Sequence, residues 1–260
     1  MMMAVLVGLA LAWEGYKNLR GISDLNMPHL SSMVEALSKP NQRGSDQTLF
    51  DALLAAALFT MQEAIVGFVM GTAFGLLLAV IFVHSDFLQR GLMPFVVASQ
   101  TVPILAIAPM VVIWTASIDA RPLGVPLIAA YLAFFPVTIY ALRGLADVPQ
   151  TALELMDSYA ASRWEIFLKL RLPNSLPYIF TALKITAPAS VVGAIIGELP
   201  AGIQDGLGGA ILQYNQSYIS NPTQLWATIL ITAITGILFF AVVAVAEKLI
   251  VRWKPPIEMN

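Results

Sequence analysis

Residues 122–142 read PLGVPLIAAYLAFFPVTIYAL and residues 172–197 read LPNSLPYIFTALKITAPASVVGAIIG. Between them, residues 143–171 hold Arg143, Asp147, Glu154, Asp157, Arg163, Glu165, Lys169 and Arg171. The first run carries no charge and the second only Lys184. A hydrocarbon core of about 30 Å takes roughly 20 residues of α-helix at 1.5 Å rise. Two such runs around a charged stretch read as two membrane spans joined by a polar connection outside the bilayer.

Working outward, the same test finds charge-free runs at 64–85, between Glu63 and Asp86, and at 91–118, between Arg90 and Asp119. The longest, 206–246, begins polar and becomes strongly apolar only after Gln224. The predicted spans are 63–84, 94–117, 124–142, 176–198 and 224–250. A sixth opens the chain. Residues 1–13 are short for a span and lack the basic flank and small-residue cleavage site of a signal peptide, so they read as a span that continues through 14–19 or starts upstream. Residues 40–44 make a turn-rich loop, and 49–59 a short apolar helix along the outer interface or leading into the second span. The expected fold is all-α, a polytopic membrane protein with a single transmembrane domain over 1–260.

Composition agrees. Of the 260 residues 58% are apolar and 12% charged, against roughly 45–50% and about 25% in soluble domains. A net charge of -2 supplies no basic patch for nucleic acid. With no cysteine, a disulfide framework, a thiolate zinc site and a cysteine nucleophile are excluded. Two histidines, His29 and His84, do not make a histidine metal site, and no metal or catalytic residue is expected. Neither a Gly-x-Ser-x-Gly hydrolase motif nor a phosphate-binding Gly-x-x-x-x-Gly-Lys-[Ser/Thr] loop occurs.

Basic residues orient the chain. With the N-terminus inside, the inner face takes Arg90, Arg143, Arg163, Lys169, Arg171, Lys248, Arg252 and Lys254. The outer face takes Lys17, Arg20, Lys39, Arg43 and Arg121, and the loop 200–222 has neither Lys nor Arg. Both termini are therefore expected in the cytoplasm.

The inner connection is built for order. Asp147-Val-Pro149 opens a helix, Thr151 and Glu154 have capping-box spacing, and Ser162 with Glu165 repeats it. Met156, Ala160, Trp164 and Phe167 recur on one side, while Glu165 and Lys169 form an i,i+4 pair. Two short amphipathic helices result. An apolar face without a core of its own wants the bilayer surface or a partner protein.

The stretch 154–179, ELMDSYAASRWEIFLKLRLPNSLPYI, resembles the loop motif of binding-protein-dependent ABC importer permeases: E-A-A, three residues, G, nine residues, I-x-L-P. Glu154 matches the glutamate, and Leu172-Pro173 match the ending at the correct distance. Leu170 replaces the isoleucine, Leu155 and Met156 the two alanines, and Ala160 the glycine. The run Ala161-Ser162-Arg163-Trp164 is similar to the branch that imports alkanesulfonates, taurine, nitrate, bicarbonate and vitamin precursors. Gln100-Thr-Val-Pro103, Ala108-Pro109 and Trp114 resemble that branch's third span, Phe134-Phe135-Pro136 its fourth, and Gly197-Glu198 the start of its glycine-rich outer segment.

The resemblance implies a type I importer permease fold of about six spans in the bacterial cytoplasmic membrane. The loop 147–173 would be a coupling helix docked on an ATPase, with Glu154, Asp157, Ala160, Ala161, Ser162, Arg163, Trp164 and Pro173 as its residues. It further implies two ATPase subunits that carry ATP and Mg, a second permease (a copy or a paralogue) and an external binding protein. This chain would bind no cofactor. A sulfonate, a pyrimidine vitamin precursor or a flavin-like solute fits, with nitrate and bicarbonate left open. Ala160, in line with Met156 and Trp164, is expected to continue the helix rather than to adopt positive φ.

Other residues have roles expected from chemistry. Gly67, Gly71 and Gly75 form a small-xxx-small ridge for close helix packing in lipid. Pro103 and Pro109 are among the prolines that free backbone carbonyls in the central spans. Gln100 and Glu198, as intramembrane polar groups, belong on a pathway or against protein. Glu63 is expected at a solvated helix end, and Lys184 to snorkel or pair near the inner side. The competing class is an ion-coupled secondary transporter, for which a mid-span carboxylate or an internal repeat would speak.

Overall fold

A computed structural model describes residues 2–41 and 46–251. Arg43, Arg252 and Lys254, counted above for orientation, and part of the 40–44 turn lie outside the described residues. Every regular element among the described residues is helical, with one isolated bridge, Pro40 to Thr48. The helices are α1 (Met2–Arg20), α2 (Leu30–Leu37), α3 (Leu49–His84), α4 (Asp86–Ser99), α5 (Ile104–Ser117), α6 (Gly124–Ala146), α7 (Gln150–Ser158), α8 (Arg163–Ile166), α9 (Leu172–Ala201), α10 (Leu207–Gln216) and α11 (Pro222–Ile250).

The spans expected at 124–142, 176–198 and 224–250 fall inside α6, α9 and α11. Residues 49–59 do not form a separate helix: α3 is continuous for 36 residues, roughly 54 Å at 1.5 Å rise. Glu63 accordingly lies within a helix and not at its end. The span expected at 94–117 is also not one rod. α4 and α5, 14 residues each, meet at 100° across Gln100–Pro103. Pro103 explains the break, because its ring disfavours helical backbone in the residue before it and it can donate no hydrogen bond. Among the described residues four helical stretches are long and apolar enough to cross a membrane, five with the bent pair. α1 takes in residues 14–19 but is not one of these stretches.

The chain forms two compact units, residues 1–60 with 202–234 and residues 61–201 with 235–260. In the first, Leu49, Leu53, Ala36, Ala210, Tyr214 and Ala227 form a core. Polar groups close its helix ends. The Glu14 carboxylate accepts from the Leu30 amide at 2.7 Å at the start of α2. The buried Thr60 hydroxyl accepts from the Leu207 amide at 2.8 Å, capping α10 from a residue 147 positions away.

In the second unit α6 packs most extensively against α9. The ridge of α3 lies against α6 so closely that a Cβ on Gly71 or Gly75 would stand 2.5 or 2.6 Å from the carbonyl oxygen of Ala130 or Phe134. Ala79 and Phe82 of α3, Val96 of α4, Ala141, Leu142 and Leu145 of α6, Phe167 just before α9 and Ile179 of α9 form the unit's core. Lys184 pairs with Glu247 of α11 at 2.6 Å, each side chain about a quarter exposed. Lys184→Met would leave the carboxylate alone, at an expected cost of about 2 kcal/mol. Thermal unfolding of the purified protein should show the loss, and Lys184→Met with Glu247→Leu should recover most of it.

Candidate functional site

The connection between α6 and α9 is the most elaborated part of the second unit. α6 ends at Ala146, and its last carbonyls are closed from across the loop. Asn174 Nδ2 donates to the Gly144 and Asp147 carbonyls at 3.2 and 2.6 Å, and Arg171 Nη1 to the Leu145 carbonyl at 3.3 Å. The Tyr178 hydroxyl donates to the Asp147 carboxylate. A helix end left with open carbonyls in this setting would be costly, so these bonds clamp the two ends of the loop together. Gly144 makes the clamp possible, since a Cβ there would stand 2.7 Å from Tyr178 and 2.9 Å from Ser175.

α7 starts at Gln150 with Pro149 as its N-cap and no side-chain cap. The Thr151–Glu154 capping box does not form, because Thr151 already lies inside the first turn. Glu154 instead accepts from Gln150 Nε2 at 3.3 Å. The Ser162–Glu165 box forms completely. The Glu165 amide donates to Ser162 Oγ at 3.3 Å, and the Ser162 amide to Glu165 Oε2 at 2.9 Å. Lys169 reaches Glu165 at 3.0 Å. Charged as it is, this loop stands outside the hydrocarbon. The Ser162 backbone bond, then the Lys169 and Ser162 side-chain bonds, hold the Glu165 carboxyl at about 2, well below the ordinary range.

Ala160 corrects the expectation of a longer helix. α7 stops at Ser158, and Ala160 has φ of 52°. The Ala161 amide donates back to the Met156 carbonyl at 3.1 Å and the Ala160 amide to Asp157 at 2.9 Å. This is a Schellman ending with alanine in the left-handed position that glycine ordinarily takes. Two saved carbonyls outweigh the steric cost of the Cβ, which is about 1–2 kcal/mol. Ala160→Gly should therefore stabilise the turn by about 0.5–1 kcal/mol. Hydrogen exchange at the Ala161 amide should slow about three-fold; unchanged or faster exchange would contradict the assignment.

Past the turn, the Trp164 and Phe167 rings meet edge to face at 5.8 Å, and His84 at the end of α3 stacks on both, at 6.1 and 5.3 Å. Phe167 is buried in the core while Trp164 is 66% exposed. Leu155, Tyr159 and Leu168 are exposed as well. A single π turn, Phe167–Arg171, passes α8 into α9, so the helix continues over Arg163–Ala201.

The expected pathway residues separate. Gln100 and Pro103, both exposed, mark the bend between α4 and α5, and exposed Pro109 lies within α5. Glu198 is completely buried, and its carboxyl hydrogen-bonds with that of Glu63. Within this chain Glu198 lines no open path. The pairing with Glu63 joins residues too far apart in sequence for any local pattern to signal it. Among the described residues no cluster of His, Asp and Glu could hold a metal.

Residues 71–253 match the family of binding-protein-dependent transport system inner membrane components. This chain belongs to that family. Among curated proteins it is 30% identical to the formylaminopyrimidine transport permease protein ThiX of Halalkalibacterium halodurans, over 80% of each chain. It is 27% identical to the riboflavin transport system permease protein RibX of Chloroflexus aurantiacus, over 66% of this chain and 62% of that one. To the putative aliphatic sulfonates transport permease protein SsuC of Bacillus subtilis it is 26% identical, over 80% and 75%. The chain is an all-α, multi-pass permease of an ABC importer, and the ion-coupled secondary transporter is set aside.

Proposed function

We propose that this permease forms, with a second copy or a paralogue, the gated pathway of an ATP-driven importer in the bacterial cytoplasmic membrane. Residues 147–173 are its coupling loop. In this reading two ATPase subunits dock there, each carrying ATP and Mg, and the permease itself binds no cofactor. An external binding protein delivers the solute on the opposite face. The whole chain acts as one transmembrane domain of about six spans with both termini in the cytoplasm. Gln100 and Pro103 at the α4–α5 bend, and Pro109 within α5, are the pathway candidates on this chain's surface, and Glu198 supports the wall from inside.

The observation that carries this reading is the combination of exposed apolar side chains with a rigid mount. Leu155, Tyr159, Trp164 and Leu168 are 58%, 78%, 66% and 55% exposed. Exposed apolar side chains on a loop kept outside the hydrocarbon by its charged neighbours fit a partner protein's groove. The mount is unbroken from Arg163 to Ala201. A displacement of α8 by a closing ATPase would thus be carried into α9 as a lever, with no loop to absorb it. The clamp at Asn174, Arg171 and Tyr178 couples α6 to the same movement.

The solute proposed is a small organic molecule: a pyrimidine vitamin precursor, a flavin-like compound or a sulfonate. The names of the ThiX, RibX and SsuC relatives support these classes. The test is reconstitution in liposomes with the importer's ATPase and binding protein. Solute-loaded binding protein should stimulate ATP hydrolysis and drive uptake. Uptake that proceeds without ATP, or hydrolysis indifferent to the loaded binding protein, would refute the reading.

A further inference from the structure

At the base of the coupling loop, the second unit carries a set of clefts whose combination of basic and apolar lining the transport reading leaves unexplained. The largest, of about 680 Å³, lies between α4 and α6. Met93, Val97, Ile139 and Leu142 give it an apolar body, and Arg143 and Arg171 give it a basic end, with Asp86 as the one acid in the lining. A cleft of about 230 Å³ shares Val83 and Arg171 with it and adds Arg163. Another, of about 510 Å³, shares Asp86 and adds Phe87 and Arg90. Four arginines and one carboxylate thus line these three clefts, with the Asp147 carboxylate nearby on Tyr178. Among the described residues none of the four is within ion-pair distance of an acid. Arg171 spends one N–H on the Leu145 carbonyl and retains the others of its five.

The position of this cluster along the helices matters. Arg143 lies in the last turn of α6, where the helix leaves the hydrocarbon, and Ile139 and Leu142 precede it toward the span. The outer side of α4 is apolar: Phe87 is 85% exposed and Phe95 72%.

We propose that the α4–α6 cleft is a binding site for an anionic phospholipid of the leaflet that faces the 147–173 loop, its phosphate on Arg143 and Arg171 and its acyl chains along Met93, Val97, Ile139 and Leu142. Guanidinium groups bind phosphate bidentately, and basic pockets at the inner ends of membrane helices suit anionic headgroups. A soluble phosphate would satisfy the arginines and leave the apolar body bare. A neutral lipid would fill the body and leave the arginines unpaired. Only an amphiphile with a negative head matches both. Occupied, the site ties α4 to the segment that leads into α9.

The test uses the full-length permease in detergent, examined by native mass spectrometry with three probes: dioleoylphosphatidylglycerol, dioleoylphosphatidylcholine and glycerol 3-phosphate. The protein should retain phosphatidylglycerol about ten-fold better than phosphatidylcholine, the scale of a hydrogen-bonded charge contact. Arg143→Gln with Arg171→Gln should abolish that preference, whereas Arg143→Lys with Arg171→Lys should keep most of it. Because Arg171 also closes the end of α6, the Arg143→Gln single variant, expected to lose most of the preference, decides the case if the double variant does not fold. Glycerol 3-phosphate should not displace the lipid. Equal retention of both lipids, full phosphatidylglycerol retention by folded Arg143→Gln, or displacement by glycerol 3-phosphate would overturn the proposal, the last in favour of a soluble phosphate site.

Discussion

Gly71→Leu is expected to prevent the permease from accumulating as a folded protein. A Cβ at Gly71 would stand 2.5 Å from the Ala130 carbonyl oxygen and 2.7 Å from the Ala133 Cβ. The first obstacle is backbone inside α6, which cannot rotate away as a side chain tip would. Ordinary overpacking costs about 1–3 kcal/mol; here two long helices would have to separate, so the effect should reach the top of that range or pass it. The loss would spread, because Ala133 is itself fully buried. Fluorescence-detected size exclusion of the tagged variant should show aggregate in place of the monodisperse peak. Gly91→Leu, where a Cβ meets nothing within 4 Å, should behave like the unaltered protein. A monodisperse Gly71→Leu variant with normal thermal stability would show that α3 does not lie on α6 as described.

The second large effect is expected at Trp164. Trp164→Asp should leave the permease folded while weakening its association with the ATPase on the order of 100-fold, the size of an aromatic hot spot. The side chain is mostly exposed, so the core loses little. What it loses is the edge contact with Phe167 and the stack on His84, and an apolar docking face acquires a charge. Trp164→Phe should retain most of the affinity. Glu154→Lys tests the same loop from α7, with its exposed carboxylate reversed. Measured by co-purification with the ATPase, normal yields for both Trp164→Asp and Glu154→Lys would remove the docking role from this loop.

Much of the architecture was legible because lipid imposes a simple rule: charge-free runs of sufficient length become spans. The rule succeeded at α6, α9 and α11, where a charge or a proline-containing turn stands close to each helix end. It failed where helix direction or continuity was at issue. Counting charges cannot register the bend at Gln100–Pro103, since both arms are apolar; the single sign was Pro103, one of several prolines in the spans. Of the two placements open for 49–59, the one leading into the second span holds, as an unbroken part of α3, with Leu49 and Leu53 buried in the first unit.

The loop shows the same division. The Ser162–Glu165 box was visible because it is local, a matter of spacing alone. Thr151–Glu154 had identical spacing and did not form, since Pro149 had already started the helix. Ala160 misled through its own propensity: alanine favours helix, yet the bonds from Ala160 and Ala161 back to Asp157 and Met156 fix a left-handed turn. The clamp by Asn174, Arg171 and Tyr178, and the meeting of Glu63 with Glu198, connect residues distant in sequence. Nothing in a single chain's residue pattern could announce them.

The claim that residues 147–173 form the ATPase-docking surface can be tested most directly by single-cysteine cross-linking, for which this cysteine-free chain is well suited. Tyr159→Cys and Leu155→Cys, both at exposed positions of the loop, should cross-link to a single-cysteine ATPase in the assembled importer, with a yield that changes when ATP is bound. Val66→Cys, exposed on α3 in the span, should not. Cross-links from both loop positions and none from Val66 are the predicted result. An assembled, ATP-hydrolysing importer in which neither loop position can be joined to the ATPase would contradict it.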